Sequence, residues 1–335
     1  MHEERKEEFI HSLHLNSSGE APVYAMFRQL AQCEEQQQID VCEFDVSSLS
    51  YAFSTLGWHN SSTFTVYRNW LRQYTNWCIG RGYCDQTNAA EHFTREHLAL
   101  SPIRNQMYIN TESFLKTMDD IYHYEPGAEK KISDDRYLMQ EVLWHLAWLG
   151  FSREEALVVR KDQVDLENKQ IITDTWKPAI PHEFVSLFKR AIEIQVAEYY
   201  VESSKGTRFV RREFSSNEYL IRPLKRKAQD EGLPTKIHTI DVWTQKAHHL
   251  QQENCPPMSS SSMKRINFQT FHTCGRYVAL KKWEEEHEEA TIDNGMKWCE
   301  LVRRKDLRTN TPKKSLTVFL ASYKAWKNAF YPVFY

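Results

Sequence analysis

The sequence predicts a mainly α-helical protein of two lobes, with one small β-hairpin. Three observations carry that expectation. Long segments repeat apolar residues every three or four positions, one stretch passes from helix through a capped turn into a hairpin, and a Pro-Gly linker divides the chain near residue 126.

The first 45 residues hold ten acidic residues against three basic ones, a net charge of −7. One helix is expected there, Val23 to Gln37, entered through Pro22 near its first turn. Such a segment is repelled by a polyanion, so a contact within the protein or with a partner protein is expected of it. Residues 46–125 read as a helical unit. Asp45 and Ser47 can cap a helix over Leu49 to Leu56, and a second helix runs from Thr63 to Ile79, where Val66, Trp70, Tyr74, Trp77 and Cys78 share one face. Arg68 and Arg72 on that helix are candidates for phosphate contact. Residues 126–132 form the expected linker, and residues 133–335 the second domain.

The second domain is organised around Tyr137 to Asp174. Leu138, Val142, Leu143 and Leu146 give an amphipathic helix that ends at Gly150. Ser152 and Glu155 then form the S-x-x-E pattern of a capping box. Val164-Asp165-Leu166 and Gln170-Ile171-Ile172-Thr173 flank a polar turn and read as a hairpin. Beyond it, a helix is expected from His182 to Tyr200, and Ser216 is expected to cap another within a basic stretch. That stretch, residues 205–227, has eight bases against two acids; residues 297–327 have nine against two. Charge so segregated, in a chain whose net charge is only −2, points to a surface for a polyanion.

Composition narrows the class. With 335 residues, 41% of them hydrophobic, the chain is long enough for two domains, each with its own core. No apolar run approaches the roughly 20 residues of a membrane span, and the acidic start lacks the charge pattern of a signal peptide, so a cytoplasmic protein with no membrane partner is expected. The seven cysteines are scattered, with no C-x-x-C pair, and read as reduced core thiols. Neither a metal nor a cofactor is expected.

Four segments resemble those of the tyrosine recombinases, or phage integrases. Tyr67 to Cys78 is similar to a helix of their core-binding domain, Gly150 to Leu166 to their first catalytic box, Phe268 to Leu280 to their second, and Lys313 to Tyr323 to their terminal helix. The resemblance implies a two-lobed, tyrosine-recombinase-like clamp around DNA, made of a helical core-binding domain and a catalytic-like domain. It also implies a chemistry in which two Arg, a His and a Lys bind the scissile phosphate while a Tyr attacks it. This sequence departs from that set. Ser152 stands in the first Arg column with Arg153 one place later, and Gly275 stands in the second with Arg276 one place later. Phe319 falls nearest the Tyr column, with Tyr323 one helical turn beyond. His272 is in place; Lys177 is the nearest match to the Lys, with Lys169 as the alternative.

Three departures at once imply a fold kept for binding DNA and not for cutting it. The chain is similar in this respect to the integrase-like master repressors of lysogeny in SPbeta-like Bacillus phages. The expected partners are then double-stranded operator DNA and a phage regulatory protein such as an antirepressor, in the nucleoid of a bacterial host, with the oligomeric state left open. The backbone grip would come from Arg211, Arg212, Lys225, Arg226, Lys227, Arg303 and Arg304, together with Arg153, Lys177, His272 and Arg276. The alternative is an active, divergent recombinase that uses Arg153, Arg276 and Tyr323.

Overall fold

The computed structural model describes residues 2–58, 61–85, 87–123, 135–174, 176–203, 206–225, 232–257, 259–302 and 312–331. The linker expected at 126–132 lies outside the described residues. The chain folds into two compact units, Met1–Gln106 with Asp306–Tyr335, and Met107–Lys305.

The first unit opens with α1 (Glu3–Ser12), α2 (Ser17–Gln37), α3 (Val46–Thr55), α4 (Ser61–Gly80), α5 (Ala89–His92) and α6 (Leu100–Gln106). Helix α1 has no counterpart in the sequence expectation. Its Phe9 sits at 5.2 to 6.2 Å from the rings of Phe27, Tyr74 and Trp77, and Lys6 places Nζ 2.7 and 2.5 Å from the two carboxylate oxygens of Glu34. Glu34 and Asp40 are fully buried, and the Tyr74 hydroxyl donates to Asp40 at 3.1 Å. Burial, and then the Asp40 charge, push the Tyr74 hydroxyl well above the usual tyrosine range. Part of the acidic N-terminal charge is thus spent inside the unit.

Helix α2 begins six residues before the expected Val23, because the Asn16 side chain accepts the Gly19 amide at 2.9 Å and caps it there. Asp45 caps α3 through the Ser48 amide at 2.6 Å. On α4 the buried line is Phe64, Leu71, Tyr74 and Cys78, whereas Val66 is 45% exposed. The buried face is therefore rotated from the one the sequence predicts, because Phe9 and Phe27 pack on Tyr74.

The second unit holds α7 (Thr111–Tyr122), α8 (Leu138–Trp148), α9 (Arg153–Val158), β1 (Val164–Asp165), β2 (Gln170–Ile171), α10 (Val185–Glu193), β3 (Val196–Ser203), β4 (Gly206–Glu213), α11 (His238–Asn254), α12 (Phe268–Glu286) and α13 (Gly295–Trp298). The chain then returns to the first unit as α14 (Pro312–Phe330), where Arg95 donates to the Ala321 carbonyl at 3.2 Å and Arg104 to that of Ala329. The division between units thus falls at Gln106 and Lys305, while the sequence reading placed its boundary at the Pro-Gly linker.

Helix α8 is the centre of the second unit. It is not amphipathic as expected: all eleven residues are buried. Its polar side chains are matched internally, Trp144 Nε1 donating to the Tyr122 hydroxyl at 2.7 Å and His145 lying against the rings of Phe114 and Phe184. The hairpin β1–β2 is antiparallel, with Val164 opposite Ile171 and Lys169 in its turn at φ +51°.

Two expectations are overturned beyond it. The helix predicted from His182 to Tyr200 ends at Glu193, and residues from Val196 onward form β3, paired antiparallel with β4. Val196, Tyr199, Tyr200 and Val201 favour a strand over a helix. The fully buried Arg222 also closes α10, its Nη2 donating to the carbonyls of Ala191 and Ile194, both at 2.7 Å. The helix expected after Ser216 does not form either; the chain there runs extended, Phe214 bridging Leu224 and the Ser215 amide donating to the Pro223 carbonyl at 2.9 Å.

Candidate nucleic-acid interface

The segments Gly150 to Leu166 and Phe268 to Leu280 of the second unit meet at the end of α8. Gly150 turns the chain at φ +95°, a left-handed conformation open to glycine. Ser152 then caps α9 reciprocally: its Oγ accepts the Glu155 amide at 3.3 Å, and Glu155 Oε2 accepts the Ser152 amide at 3.0 Å. The residue in the first Arg column is therefore the N-cap of α9, as the S-x-x-E pattern predicts.

Helix α12 crosses α8 at this point. A Cβ added at Gly275 would lie 1.9 Å from the Trp148 carbonyl oxygen and 2.7 Å from its carbon. Backbone meets backbone there, and no side chain fits. One turn earlier His272 Nε2 lies 3.2 Å from the Gly150 carbonyl oxygen, and the ring is half-buried. Arg276 is 8% exposed; its Nε donates to the His272 carbonyl at 3.2 Å and its Nη1 to that of Val302 at 3.5 Å. This differs from the phosphate-facing orientation that helical spacing predicts, because the close crossing draws the guanidinium into the protein, where backbone carbonyls hold it.

The other cations of this region are more open. Arg153 forms an ion pair with Asp241 of α11 at 3.2 Å, its side chain 39% exposed. Lys177 is exposed, and the neighbouring Trp176 packs on Phe151 at 5.0 Å, which brings this segment beside the Ser152 cap. Lys169, the alternative, is also exposed. Ser152, Arg153, Lys177, His272, Gly275 and Arg276 thus belong to one part of the second unit.

Phe319 and Tyr323 lie on α14 in the first unit, 4% and 1% exposed. Tyr323 stacks on Trp326 at 6.0 Å. On α4, Arg68 donates through Nε to the Ala90 carbonyl at 3.0 Å, while Arg72 is exposed and its side chain has no partner among the described residues. Arg211 pairs with Glu198 at 3.4 Å, Lys225 lies 3.9 Å from Glu213, and Arg212 is exposed. Arg226, Lys227, Arg303 and Arg304 lie outside the described residues.

Residues 1–80 match the family model of the MrpR N-terminal core-binding domain. The match spans α1, α2, α3 and α4, so the acidic segment and the aromatic helix belong to one domain of integrase-like type. A core-binding domain implies DNA binding, and the helical architecture agrees with it. No curated protein matches the chain. Among the described residues no group of three or more His, Cys, Asp or Glu side chains is placed to hold a metal ion, and no helix is long and apolar enough to cross a membrane. The seven cysteines are buried and unbridged; burial pushes the Cys274 thiol up to about 12.

Two features escaped the sequence reading. One is an exposed ring pair on the β3–β4 ribbon, Tyr200 and Phe209; the aromatic and β-branched residues of Val196 to Val201 are the signal that marks its strand. The other is a half-buried pair, His123 and Glu141, 3.0 Å apart, which no local pattern announces.

Proposed function

We propose that this protein is a sequence-specific DNA-binding repressor that maintains prophage lysogeny, on a tyrosine-recombinase fold that binds operator DNA without cutting it. The observation that carries the reading is the crossing at Gly275. In the recombinase register read from the sequence, the second catalytic Arg column falls on Gly275, whose side-chain space the Trp148 backbone fills, and the first is used as a helix cap. A guanidinium there would fork onto two phosphate oxygens in the transition state. Losing one such preorganised donor commonly costs about 100- to 1000-fold in rate. The burial of Tyr323 and Phe319 supports the same reading, since an attacking tyrosyl oxygen must reach a phosphorus atom. The core-binding domain at residues 1–80 supports DNA as the partner. Occupying an operator blocks transcription without strand cleavage, and Arg72, Lys177 and Arg212 are exposed and open to phosphates.

The test captures host and phage genomic fragments on the purified protein, sequences them, and examines the retained complexes for covalent linkage after denaturation. Short related sites near promoters, all released by denaturant, are expected. Their affinity should fall steeply with salt as bound cations displace counterions. A protein-linked strand that disappears in Tyr323→Phe would establish an active recombinase and overturn the reading.

A further inference from the structure

A cavity of about 680 Å³ opens between α7, α8 and α10, wholly within the second unit. Its size suits a small organic ligand. Two buried side chains of α8 line it, Glu141 and His145, 6% and 2% exposed. Each has one polar atom satisfied and one left over. Glu141 Oε1 accepts from His123 Nε2 at 3.0 Å, while its Oε2 has no hydrogen-bond partner among the described residues. His145 Nδ1 donates to the Glu141 backbone carbonyl at 2.8 Å, which leaves the lone pair on Nε2, also without a partner among the described residues. Burial lowers the His145 pKa and so favours the neutral ring. Buried polar atoms are seldom left unsatisfied, so two acceptors one helical turn apart call for a donor.

The rest of the lining indicates which donor. Leu115, Met118 and Leu187 supply an apolar wall. Glu112, Asp119 and Glu183 are exposed at its mouth. With Glu141 they make four carboxylates against two permanent cations, Lys116 and Arg190, and Arg190 is paired with Asp135 outside the lining. His123, also in the lining, is already committed to Oε1. An anion would meet this negative charge and two lone pairs. A cation on an apolar stem matches the charge, the acceptors and the wall together.

We propose that this cavity binds an organic cation, an amidinium, guanidinium or ammonium group on an apolar stem. The head donates to Glu141 Oε2 and His145 Nε2, and the stem packs on Leu115, Met118 and Leu187. The inference goes beyond the DNA-binding reading above and does not depend on it.

The test is isothermal titration of the full chain with three ligands of one shape, benzamidine, benzamide and benzoate. Benzamidine should bind about tenfold more tightly than benzamide, because it alone brings charge-assisted donors to the carboxylate, and benzoate should give no heat. Glu141→Gln keeps an acceptor for His123 but removes the charge, and should weaken benzamidine about tenfold. Ser186→Trp, at an exposed lining position on α10, should fill the mouth and abolish binding with an unchanged circular-dichroism melt. Titration with Nα-acetyl-arginine amide separates the two sources of such a cation. Tighter binding than benzamidine would assign the site to an arginine side chain of a peptide, and weaker binding to a free small molecule; either upholds the proposal. No heat from both cations, equal affinity for benzamidine and benzamide, or wild-type affinity in either variant would overturn it.

Discussion

Gly275 rests against the carbonyl of Trp148 so closely that a methyl group would stand 1.9 Å from the oxygen. The atoms it would strike are backbone, in the last turn of a helix buried on every side, so they cannot swing away. Gly275→Ala should therefore destabilise the protein by about 3 kcal/mol through overpacking, despite the better helix propensity of Ala. Gly275→Arg should fare worse and lower the thermal midpoint further. Ser152→Arg provides the comparison. It loses an N-cap and should cost only about 1 kcal/mol. Urea titrations of the three variants would check this order. Equal costs at the two positions would mean that the α8–α12 crossing is looser than described.

In the first unit, Lys6 and Glu34 form an ion pair at 2.5 to 2.7 Å, with the carboxylate fully buried. Glu34 also accepts the Val41 amide at 2.9 Å. Lys6→Ala would leave a buried carboxylate without this cation, and a loss of about 3 to 5 kcal/mol is expected. Lys6→Met/Glu34→Gln should recover part of that, because the amide oxygen still accepts from Val41, while the buried Asp40, 4.0 Å from Lys6, still loses its cation. The measurement is a double-mutant cycle by denaturant unfolding. A Lys6→Ala change below about 1 kcal/mol would place α1 outside the cooperative unit, as an exposed pair would.

The sequence displayed local devices and concealed tertiary ones. The Ser152–Glu155 box, the Asp45 cap, the Gly150 stop and the short hairpin were legible because each is fixed by residues within a few positions of one another. Helix α1 was not. Its stretch is mostly charged, and only Lys6, Phe9 and Ile10 are buried, so no apolar stripe marks it until α2 and α4 supply the other side. The switch from α10 to β3 was hidden because His182 to Tyr200 carries helical spacing past Glu193, while the Arg222 guanidinium that closes the helix comes from residues much later in the chain. In the candidate interface, the residue types at the two Arg columns were readable from the chain alone. That Gly275 admits no side chain and that Arg276 turns inward follow only from how α12 crosses α8.

Arg222 is a base of the positively charged stretch 205–227 that never reaches its surface. It is fully buried, and Nη2 donates to both Ala191 and Ile194 carbonyls at the end of α10, while Nε and Nη1 have no hydrogen-bond partner among the described residues. Burial accordingly lowers its pKa from the ordinary arginine value. Arg222→Ala should cost about 3 kcal/mol, because it strips two charge-assisted bonds from the helix end and leaves a cavity. Arg222→Met should cost less, since the aliphatic chain fills the space and no charge is desolvated. Chemical denaturation distinguishes the two. DNA affinity measured well below the melting temperature should be the same in both, and a selective loss of affinity in Arg222→Met would assign this guanidinium to the nucleic acid instead.

The His123–Glu141 pair sets how the second unit responds to pH. The hydrogen bond that His123 donates to Glu141 raises the His123 pKa, burial opposes it, and the charges of Glu141 and Asp119 add to the rise while Arg190 works against it. A histidine whose pKa is raised on folding stabilises fully below its unfolded value of about 6.5, and that stability is lost as pH climbs through the higher folded value. His145, one turn from Glu141, does the reverse. Burial lowers its pKa, so its contribution is lost as pH falls below about 6.5. Unfolding free energy should therefore peak near pH 6.5 and decline on both sides. His123→Gln should flatten the alkaline side alone, and His145→Gln the acid side alone. Denaturant midpoints measured from pH 5 to 8.5 would show it. A His123→Gln profile parallel to the wild type above pH 6.5 would mean that the pair does not survive in solution.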